Sequence, residues 1–438
     1  MKIGLIGNMN NMNFAIMRYF RDLGADAHLL LNQEDGNGIS KHFDVSRDTW
    51  NLDQWAPYIH RSNLCDVPHA AFNFIQSNIL YGYSLFNNIN SRNVFIPKPT
   101  LNRKIIDVVS GYDILMGSGI SPAMLHRVGR RLDIFYPYSM GIEYLDTPWI
   151  LSKLESDNFF ARSMINKVRL RQLDGIKMAR NVINFENGHT YDTLKKYNID
   201  HIRIPIPMVY NREVVPAGYS NEKLEKTISR IQKSSFKILS HARLMWCRPN
   251  SISNENWRLQ NKNNDAFIYA FKNLIDSQKE KSPLLILIEY GKDVDQTKKL
   301  IHSLGIDQYV EWLPVLDRKD IMLLLSMVDV CSGEFYELPG IIFGGTGWES
   351  LAVGTPFING FNFSDGEFEN IYNIPRPPIL AACNEREITR VLFEVSENSI
   401  LLSDIRVQSK RWFDENCGIL LAKKWLEIAL SSKNSRFN

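Results

Sequence analysis

The chain alternates short apolar runs with amphipathic segments, and this alternation limits the folds open to it. It begins with KIGLIG at 2–7, a run with the length and composition of a buried strand. The next segment carries Phe14, Met17 and Phe20 at helical spacing, and Gly24 stands where such a helix would end. A second apolar run, DAHLLL, follows at once. This order of strand, helix and strand predicts a parallel sheet with right-handed crossovers.

The same alternation restarts in the second half of the chain. A strand-like run, FKILSHAR, opens it, and helix and strand patterns then follow one another as far as PFING. Between the two halves lies a charged stretch with proline and glycine and little strand signal. We therefore predict an α/β protein of two Rossmann-like, doubly wound domains. The predicted parts are a first domain at 1–208, a connection at 209–235, a second domain at 236–405 and a helical end at 406–438.

Composition is that of a globular protein large enough for two domains. The 438 residues are 44% hydrophobic and 23% charged, and no apolar run reaches the roughly 18 residues of a membrane span. The start of the sequence has no cleavage-site pattern, so we expect a cytoplasmic protein. Five scattered cysteines favour a reducing compartment, and a net charge of +3 gives no reason to expect nucleic acid as a partner.

The stretch GGTGWESLAVGTPFI at 344–358 carries the clearest sign of chemistry. Its glycines lie between the strand pattern VDVCSG and a predicted helix, where exposed backbone and the helix dipole favour a phosphate. Glu349 is expected in the first turn of that helix, where a carboxylate can accept hydrogen bonds from vicinal ribose hydroxyls. A glutamate that merely complements the helix dipole fits the same position.

This stretch resembles the donor-site signature of retaining GT-B glycosyltransferases of the family 4 type. SHARL at 240–244, KNNDAFIYAFKNL at 262–274 and VEWLPVLDRKDIMLLLSMVDV at 310–330 extend the resemblance in the same order. The resemblance implies a GT-B fold, with two Rossmann-like domains facing a cleft and a C-terminal helix crossing back. It is weak over the first 200 residues.

By this resemblance several residues would hold a nucleoside diphosphate sugar. Arg243 and Lys262 would bind the two phosphates and stabilise the charge that develops on the leaving diphosphate. The remaining donor contacts would come from the glycine loop, the ribose-binding glutamate, the backbone that meets the nucleobase and a histidine beside the arginine, namely Gly345, Thr346, Gly347, Glu349, Val315 and His241. His241 and His189 also fit ordinary structural histidines.

The sequence departs from the family pattern in two places. The family has two glutamates separated by seven residues, but the first of these positions is Ile341 here, so Glu334 or Glu337 would have to substitute. An insertion, MWCRPNSISNENWRLQN, also separates Arg243 from Lys262. These departures leave the donor sugar and the place of Lys262 open.

Candidates for the acceptor side lie in the first half. Asn11 and Asn13 follow the first strand, and their amides suit a sugar surface, although asparagine is also common in left-handed turns. Glu143 follows another predicted strand and is a candidate for acceptor binding or proton transfer, although a plain surface carboxylate fits the same position. Gly119 belongs to a Gly-Ser-Gly turn, but Pro122 replaces the third glycine of a dinucleotide motif. The turn therefore favours a structural role.

Two further patterns allow more than one interpretation. Asp293 and Asp295 form a D-x-D that resembles the metal-binding pair of GT-A glycosyltransferases, but they precede a predicted helix, so we interpret them as capping residues and expect no metal and no cofactor. The basic, apolar stretch at 162–180 fits either contact with an anionic membrane at its inner face or an ordinary solvated helix.

The sequence thus predicts a metal-free glycosyltransferase. It would move a hexose-type sugar from a donor such as a UDP-sugar to a glycan or lipid-linked acceptor with retention, as in bacterial surface polysaccharide or glycolipid synthesis. A nucleotide-sugar epimerase of the same fold and a non-catalytic sugar-binding protein remain alternatives. A nicotinamide-dependent oxidoreductase would need a G-x-G-x-x-G motif that the sequence lacks.

Overall fold

The computed structural model describes most of the chain and divides it into two compact units. The described residues are 1–32, 43–62, 102–138, 141–146, 159–185, 188–219, 221–249, 257–258, 260–278, 280–336 and 342–434. The first unit contains Met1–Asp44, Asp53–Ile204 and Lys423–Asn438, and the second contains Val45–Leu52 and Pro205–Ala422.

The first unit is built on a six-stranded parallel sheet with the order β3-β2-β1-β4-β5-β6. The opening strand is buried on both faces, as expected of a parallel sheet, and pairs Leu5 with Leu29 on one side and with Met116 on the other. The strands are β1 (Lys2–Ile6), β2 (Asp26–Asn32), β3 (Ile59–Ser62), β4 (Ile114–Gly117), β5 (Ile134–Phe135) and β6 (Asn181–Val182).

Helices of the first unit pack their apolar faces on this sheet. In α1 the predicted stripe of Phe14, Met17 and Phe20 is buried, and the chain turns at Gly24 with a positive φ of 81°. The predicted opening β-α-β unit is therefore confirmed. The helices are α1 (Met12–Asp22), α2 (Leu52–Trp55), α3 (Asn102–Val109), α4 (Ser121–His126), α5 (Glu143–Asp146), α6 (Phe159–Met178) and α7 (His189–Lys196), with 3₁₀ turns at Met9–Asn11 and Ala56–Tyr58.

The second unit repeats the plan with the order β12-β11-β10-β7-β8-β9, again parallel. Its second strand is buried along its whole length, and its core cluster includes Phe267, Phe271 and Leu285. The strands are β7 (Phe236–Ser240), β8 (Pro283–Ile288), β9 (Val310–Leu313), β10 (Val330–Ser332), β11 (Phe357–Asn359) and β12 (Leu380–Ala381).

The predicted connection at 209–235 contains a helix, α8 (Glu222–Lys233), which the sequence analysis did not predict. Leu224, Thr227 and Ile231 are buried on one face of it, a helical spacing that was masked by the surrounding charges. The remaining helices are α9 (Asn264–Ser277), α10 (Val294–Ser303), α11 (Arg318–Met327), α12 (Gly345–Val353), α13 (Asp365–Tyr372), α14 (Glu385–Glu397), α15 (Ser399–Asn416) and α16 (Ile419–Asn434), with 3₁₀ turns at Val45–Arg47 and Asp307–Tyr309.

Neither unit is one continuous segment, because the chain passes from one unit to the other several times. Val45–Leu52 lies early in the sequence but belongs to the second unit, and Lys423–Asn438 returns to the first, where Trp425 packs edge-on against Tyr136 with 5.0 Å between ring centroids. The predicted return of the C-terminal helix is therefore confirmed. Within the described residues, no helix combines the length and apolar character needed to cross a bilayer.

Each sheet has one point where the direction of its strand order reverses. In the second sheet β7 and β10 are neighbours, but the chain continues from β7 towards β8 and β9 and from β10 towards β11 and β12. In the first sheet β1 and β4 occupy the equivalent places. Loops leaving the carboxyl ends of two such strands diverge, and open α/β sheets bind their ligands in the crevice this leaves.

Candidate functional site

The carboxyl ends of β7 and β10 bring together most residues that the sequence analysis assigned to the donor. His241 follows β7 directly, Glu334 lies two residues after β10, and α12 begins at Gly345. Strand pairing between Ser240 and Ser332 holds the two strand ends side by side. The site is therefore at the point where the strand order of the second sheet reverses.

The glycines at the start of α12 have different surroundings. Gly345 is exposed and has open space where a Cβ would stand, whereas a Cβ on Gly347 would lie 2.2 Å from Cδ2 of the buried Phe343. As at any helix start, the first backbone N–H groups lack acceptors within the helix and carry partial positive charge. Gly345 and Thr346 can therefore meet an anion closely, while Gly347 is required for packing.

Glu349 lies one turn deeper than the sequence analysis expected. The first turn of α12 contains no acidic residue, because the helix already begins at Gly345. The Glu349 side chain is only 11% exposed, and both of its oxygens are engaged: Oε2 pairs with His241 Nε2 at 2.9 Å, and Oε1 accepts from Arg318 Nε at 2.8 Å. This buried ion pairing exceeds what a dipole-complementing glutamate requires.

The electrostatics of the pair keep both partners charged. Burial by itself raises the pKa of Glu349, but the hydrogen bond from His241 and the charge of Arg318 lower it to about 2. Burial by itself lowers the pKa of His241, but the Cys331 sulfur, 3.7 Å from Nδ1, and the Glu349 carboxylate raise it to about 10. With both ring nitrogens engaged inside the protein, His241 is poorly placed for the predicted contact with a diphosphate.

Arg318 and Asp48 extend this pair into a chain of alternating charges that the sequence analysis missed. Arg318 Nη1 donates to Asp48 Oδ1 at 3.0 Å, while Arg318 Nε donates to Glu349 Oε1. Asp48 lies 270 residues from Arg318, so no local spacing could have revealed the contact.

Lys262 reaches the same edge of the sheet despite the insertion before it. Its Nζ pairs with Glu334 Oε1 at 2.7 Å and donates to the hydroxyl of Tyr336. The Glu334 carboxylate lies beside the start of α12, with Oε2 3.9 Å from the Cβ position of Gly344. Burial and the nearby Glu334 raise the pKa of Tyr336 above its ordinary value. Lys262 thus lies beside the glycine loop and is paired there with the carboxylate of Glu334.

Arg243 and Val315 are exposed around this edge. The Arg243 guanidinium lies over the ring of Tyr290, 5.5 Å from its centroid, just after β8. Val315 is exposed in the loop between β9 and α11. Both positions are open to a ligand, and their assigned contacts with phosphate and nucleobase stay predictions. Glu337 and Ile341 lie outside the described residues.

Asp293, the first residue of the D-x-D pair, binds backbone N–H groups of the insertion instead of capping its own helix. Asp293 stands at the N-cap position of α10, but its side chain makes no capping bond and instead accepts from the backbone N–H groups of Trp246 and Cys247, at 2.6 and 2.9 Å. The capping interpretation is therefore wrong for Asp293. Its carboxylate holds the start of the insertion, where two adjacent N–H groups need an acceptor.

The side chains of Asn11 and Asn13 donate hydrogen bonds to backbone carbonyls of other residues in the first unit. Asn13 donates to the carbonyls of Ile6 and Gly7 and accepts from Tyr136, and Asn11 donates to Asp44 O at 2.8 Å. Both side chains are buried, and Asn11 has a left-handed backbone with a φ of 58°. This geometry favours the structural role, while their contact with an acceptor stays a prediction.

The other candidates of the first unit are distributed over three elements. Gly119 has a φ of 60° in the turn between β4 and α4, and its carbonyl accepts from Gln172 at 2.8 Å, which favours the structural role, while its contact with an acceptor stays a prediction. Glu143 begins α5. His189 begins α7 and is exposed. The roles proposed for Glu143 and His189 stay untested.

The basic stretch at 162–180 forms most of α6, and part of its charge is used internally. Arg169 donates to Leu145 O and to the hydroxyl of Tyr197, each at 2.7 Å, and Arg180 pairs with Asp133. Leu170 and Met178 are exposed. Membrane contact by this helix stays a prediction.

Solved structures of other proteins share this architecture over nearly the whole chain. A glycosyltransferase from Rickettsia africae matches with a TM-score of 0.52 at 15% sequence identity, covering 98% of each chain. A variant of S. aureus TarM, crystallised with fondaparinux, alpha-GlcNAc-glycerol and UDP, matches with a TM-score of 0.52 at 11% identity, covering 98% of this chain and 99% of TarM. No family model and no curated protein matches the sequence. The two structures confirm the predicted GT-B fold.

Proposed function

We propose that this protein is a glycosyltransferase that takes a hexose-type sugar from a nucleoside diphosphate sugar. The observation that carries the proposal is the convergence of Glu349, Lys262 and the exposed start of α12 on one carboxyl edge of the second sheet. An ionised carboxylate, a cation and free helix N–H groups are what ribose and a diphosphate require. The GT-B fold provides the setting.

Glu349 retains capacity for two ribose hydroxyls although it is ion-paired. An ionised carboxylate offers about four lone-pair positions. Arg318 and His241 occupy one position on each oxygen, which leaves one on each for a ligand. Two adjacent acceptors on one carboxylate match the spacing of vicinal hydroxyls. The fixed orientation favours binding, because little side-chain freedom is lost when the nucleoside arrives.

The phosphates would replace an anion that the protein itself supplies. Glu334 pairs with Lys262 beside Gly344, so a diphosphate at the start of α12 would compete with the Glu334 carboxylate for that lysine. Arg243, exposed after the same strand end as His241, would contribute the second cation. Glu334 displaced from Lys262 would then be available to a hydroxyl of the donor sugar.

The chemistry proposed is transfer with retention and without a metal. The bond between the anomeric carbon and the diphosphate oxygen breaks while the acceptor oxygen bonds to that carbon from the same face. The electron pair of the broken bond stays on the diphosphate, where Arg243, Lys262 and the helix start stabilise it. The acceptor proton passes to a phosphate oxygen, so no side-chain base is needed for balance.

The acceptor is proposed to be a glycan or a lipid-linked glycan, as in surface polysaccharide or glycolipid synthesis. Support comes from the family resemblance and from TarM, whose crystal contains alpha-GlcNAc-glycerol and UDP. Glu143 is the proposed acceptor-side carboxylate. The helix α6 is the proposed membrane contact, with exposed Arg162, Leu170 and Lys177.

Calorimetric titration of the full chain with UDP, GDP, ADP and CMP tests the proposal. We expect one diphosphate to bind, and we expect Lys262→Met to weaken it by about 10- to 100-fold, because a charge-assisted hydrogen bond to phosphate is lost. The matched control is Lys272→Met on α9, since Lys272 pairs only with the exposed Asp276 among its described contacts. It should leave the affinity unchanged.

Absence of binding to every nucleotide would mean that the chain shares the fold but not the function. If a nucleotide binds, product analysis with the corresponding UDP-, GDP- or ADP-sugar follows. Release of diphosphate only when a glycan acceptor is present supports transfer, whereas conversion of the sugar without an acceptor would assign an epimerase.

A further inference from the structure

The Val45–Leu52 segment is bound into the second unit by contacts along its whole length. Lys319 donates to the carbonyls of Ser46 and Thr49 at 2.8 and 3.2 Å, and Arg47 pairs with Asp317. Farther along, Thr49 and Asn51 donate to one oxygen of Glu213, at 2.6 and 2.9 Å. This many polar contacts give the segment one defined conformation.

This conformation buries the side chain of Asp48 and places it next to Arg318. The Asp48 side chain is 3% exposed, and its Oδ1 accepts from Arg318 Nη1 at 3.0 Å. A buried carboxylate is costly unless it is paired, so a charge at this position requires a cation beside it. Arg318, which also contacts Glu349, is such a cation.

The guanidinium of Arg318 transmits the orientation of one carboxylate to the other. Its five donors lie in one rigid plane, so fixing Nη1 on Asp48 also fixes the direction of Nε towards Glu349. Loss of the Asp48 carboxylate would take this acceptor from Nη1, and a two-pronged pair between the guanidinium and Glu349 would then compete with the present geometry. Such a pair would use the lone-pair positions that the ribose needs.

We propose that Asp48 is a positioning residue for nucleoside recognition, acting through Arg318 to keep the Glu349 carboxylate open to the ribose hydroxyls. The inference rests on the proposed function and adds a specific role for a residue from the early part of the chain. Four alternating charges, Asp48, Arg318, Glu349 and His241, then form one neutral unit that orients an acceptor for hydroxyls.

The test compares ribose with a sugar that lacks its hydroxyls. Calorimetry would measure the affinity of the preferred nucleoside diphosphate and of its 2′,3′-dideoxy analogue for wild type, Asp48→Asn and the control Lys272→Met. We expect wild type to prefer the ribonucleotide and Asp48→Asn to reduce that preference by about tenfold, the value of one charged hydrogen bond. Lys272→Met on α9 removes an ion pair with the exposed Asp276 and, among the described contacts, touches neither this segment nor the charge chain, so it should leave the preference unchanged.

Any of the following outcomes would contradict the inference. Equal weakening of both nucleotides in Asp48→Asn would show a structural role alone, and an unchanged preference would show that Asp48 does not reach the ribose site. Wild type that binds both nucleotides equally would overturn the inference while leaving diphosphate binding intact, and wild type that binds neither would overturn the proposed function as well.

Should Asp48→Asn fail to fold, Arg318→Lys gives the same readout. A lysine keeps the charge but presents a single point donor group, so it cannot hold both carboxylates in the geometry of a guanidinium. We expect the preference for ribose to fall in this variant also, and an unchanged preference would contradict the inference.

Discussion

The carboxylate of Glu349 and the imidazole of His241 form a buried ion pair, with 2.9 Å between Oε2 and Nε2, although 108 residues separate them in sequence. His241 directly follows the strand β7, and Glu349 lies in the helix α12. The pair joins the two loops that diverge at the reversal of strand order, so the stability of this edge and the nucleotide binding proposed for it depend on the same two side chains.

Glu349→Gln should lower the free energy of unfolding by about 3–5 kcal/mol, because breaking a buried pair leaves its partner uncompensated. The pKa of Glu349 falls from 4.5 to about 2 on folding, so its stabilisation is lost as pH falls below 4.5. The pKa of His241 rises from 6.5 to about 10, so its stabilisation is lost as pH rises above 6.5. The difference between wild type and variant should therefore be largest between pH 4.5 and 6.5.

Denaturant unfolding at pH 5.5, 7.5 and 9.5 measures that difference. Glu415→Gln is the control, since Glu415 pairs with Arg411 on an exposed helix face and should change little. A difference between wild type and Glu349→Gln that does not vary with pH would contradict the ion pair.

Gly347→Ala should lower the stability of the protein, whereas Gly345→Ala should weaken nucleotide binding instead. A methyl group on Gly347 would collide with the buried Phe343, so we expect a loss of about 1–3 kcal/mol in the free energy of unfolding. Gly345 has open space, so Gly345→Ala should not lower the stability, but its methyl group should weaken nucleotide binding where the backbone meets phosphate. Thermal unfolding and calorimetry on both variants measure the two effects, and equal melting temperatures would contradict the packing argument.

Trp425→Ala should destabilise the first unit by about 3–5 kcal/mol, as expected for removal of a buried aromatic side chain. Trp425 is fully buried and contacts Tyr136, whose hydroxyl donates to Asn13. Chemical denaturation followed by circular dichroism measures the loss. Lys424→Ala, at an exposed neighbouring position, is the control, and a similar small effect of both substitutions would show that this end of α16 is not part of the core.

The first unit should become less stable as pH falls below 6.5. His28 Nδ1 lies 2.7 Å from His60 Nε2, and the other nitrogen of His28 pairs with Asp26. Burial lowers the pKa of both histidines, and the charge of His28 also lowers that of His60. The unfolded chain then binds more protons than the folded one, so stability falls with pH.

Melting temperatures at pH 7.5 and 5.5 for wild type, His60→Gln and His302→Gln test this. His302 is 85% exposed and serves as the control. His60→Gln should reduce the loss between the two pH values and His302→Gln should not, so an equal loss in all three proteins would exclude the histidine pair as its source.

Much of the fold could be predicted from sequence because it depends on local patterns. Buried apolar runs such as β1, helical stripes such as Phe14 with Met17, and a turn glycine such as Gly24 each encode their element within a few residues. The glycine loop before Glu349 was recognisable for the same reason, since strand, loop and helix are adjacent in the chain. What these patterns determined was the class of fold, and they also predicted the edge of the sheet that carries the candidate site.

Only the tertiary structure decided how the charges at that edge are paired. Asp48 meets Arg318 across 270 residues, and Glu349 meets His241 across 108, so neither contact leaves a periodic trace in the sequence. Asp293 illustrates the same limit. An aspartate at a helix start can accept hydrogen bonds from N–H groups of its own helix or of a distant loop, and here it accepts from the backbone N–H of Trp246. Long-range pairing depends on which strands become neighbours, and that is settled by the packing of the whole sheet.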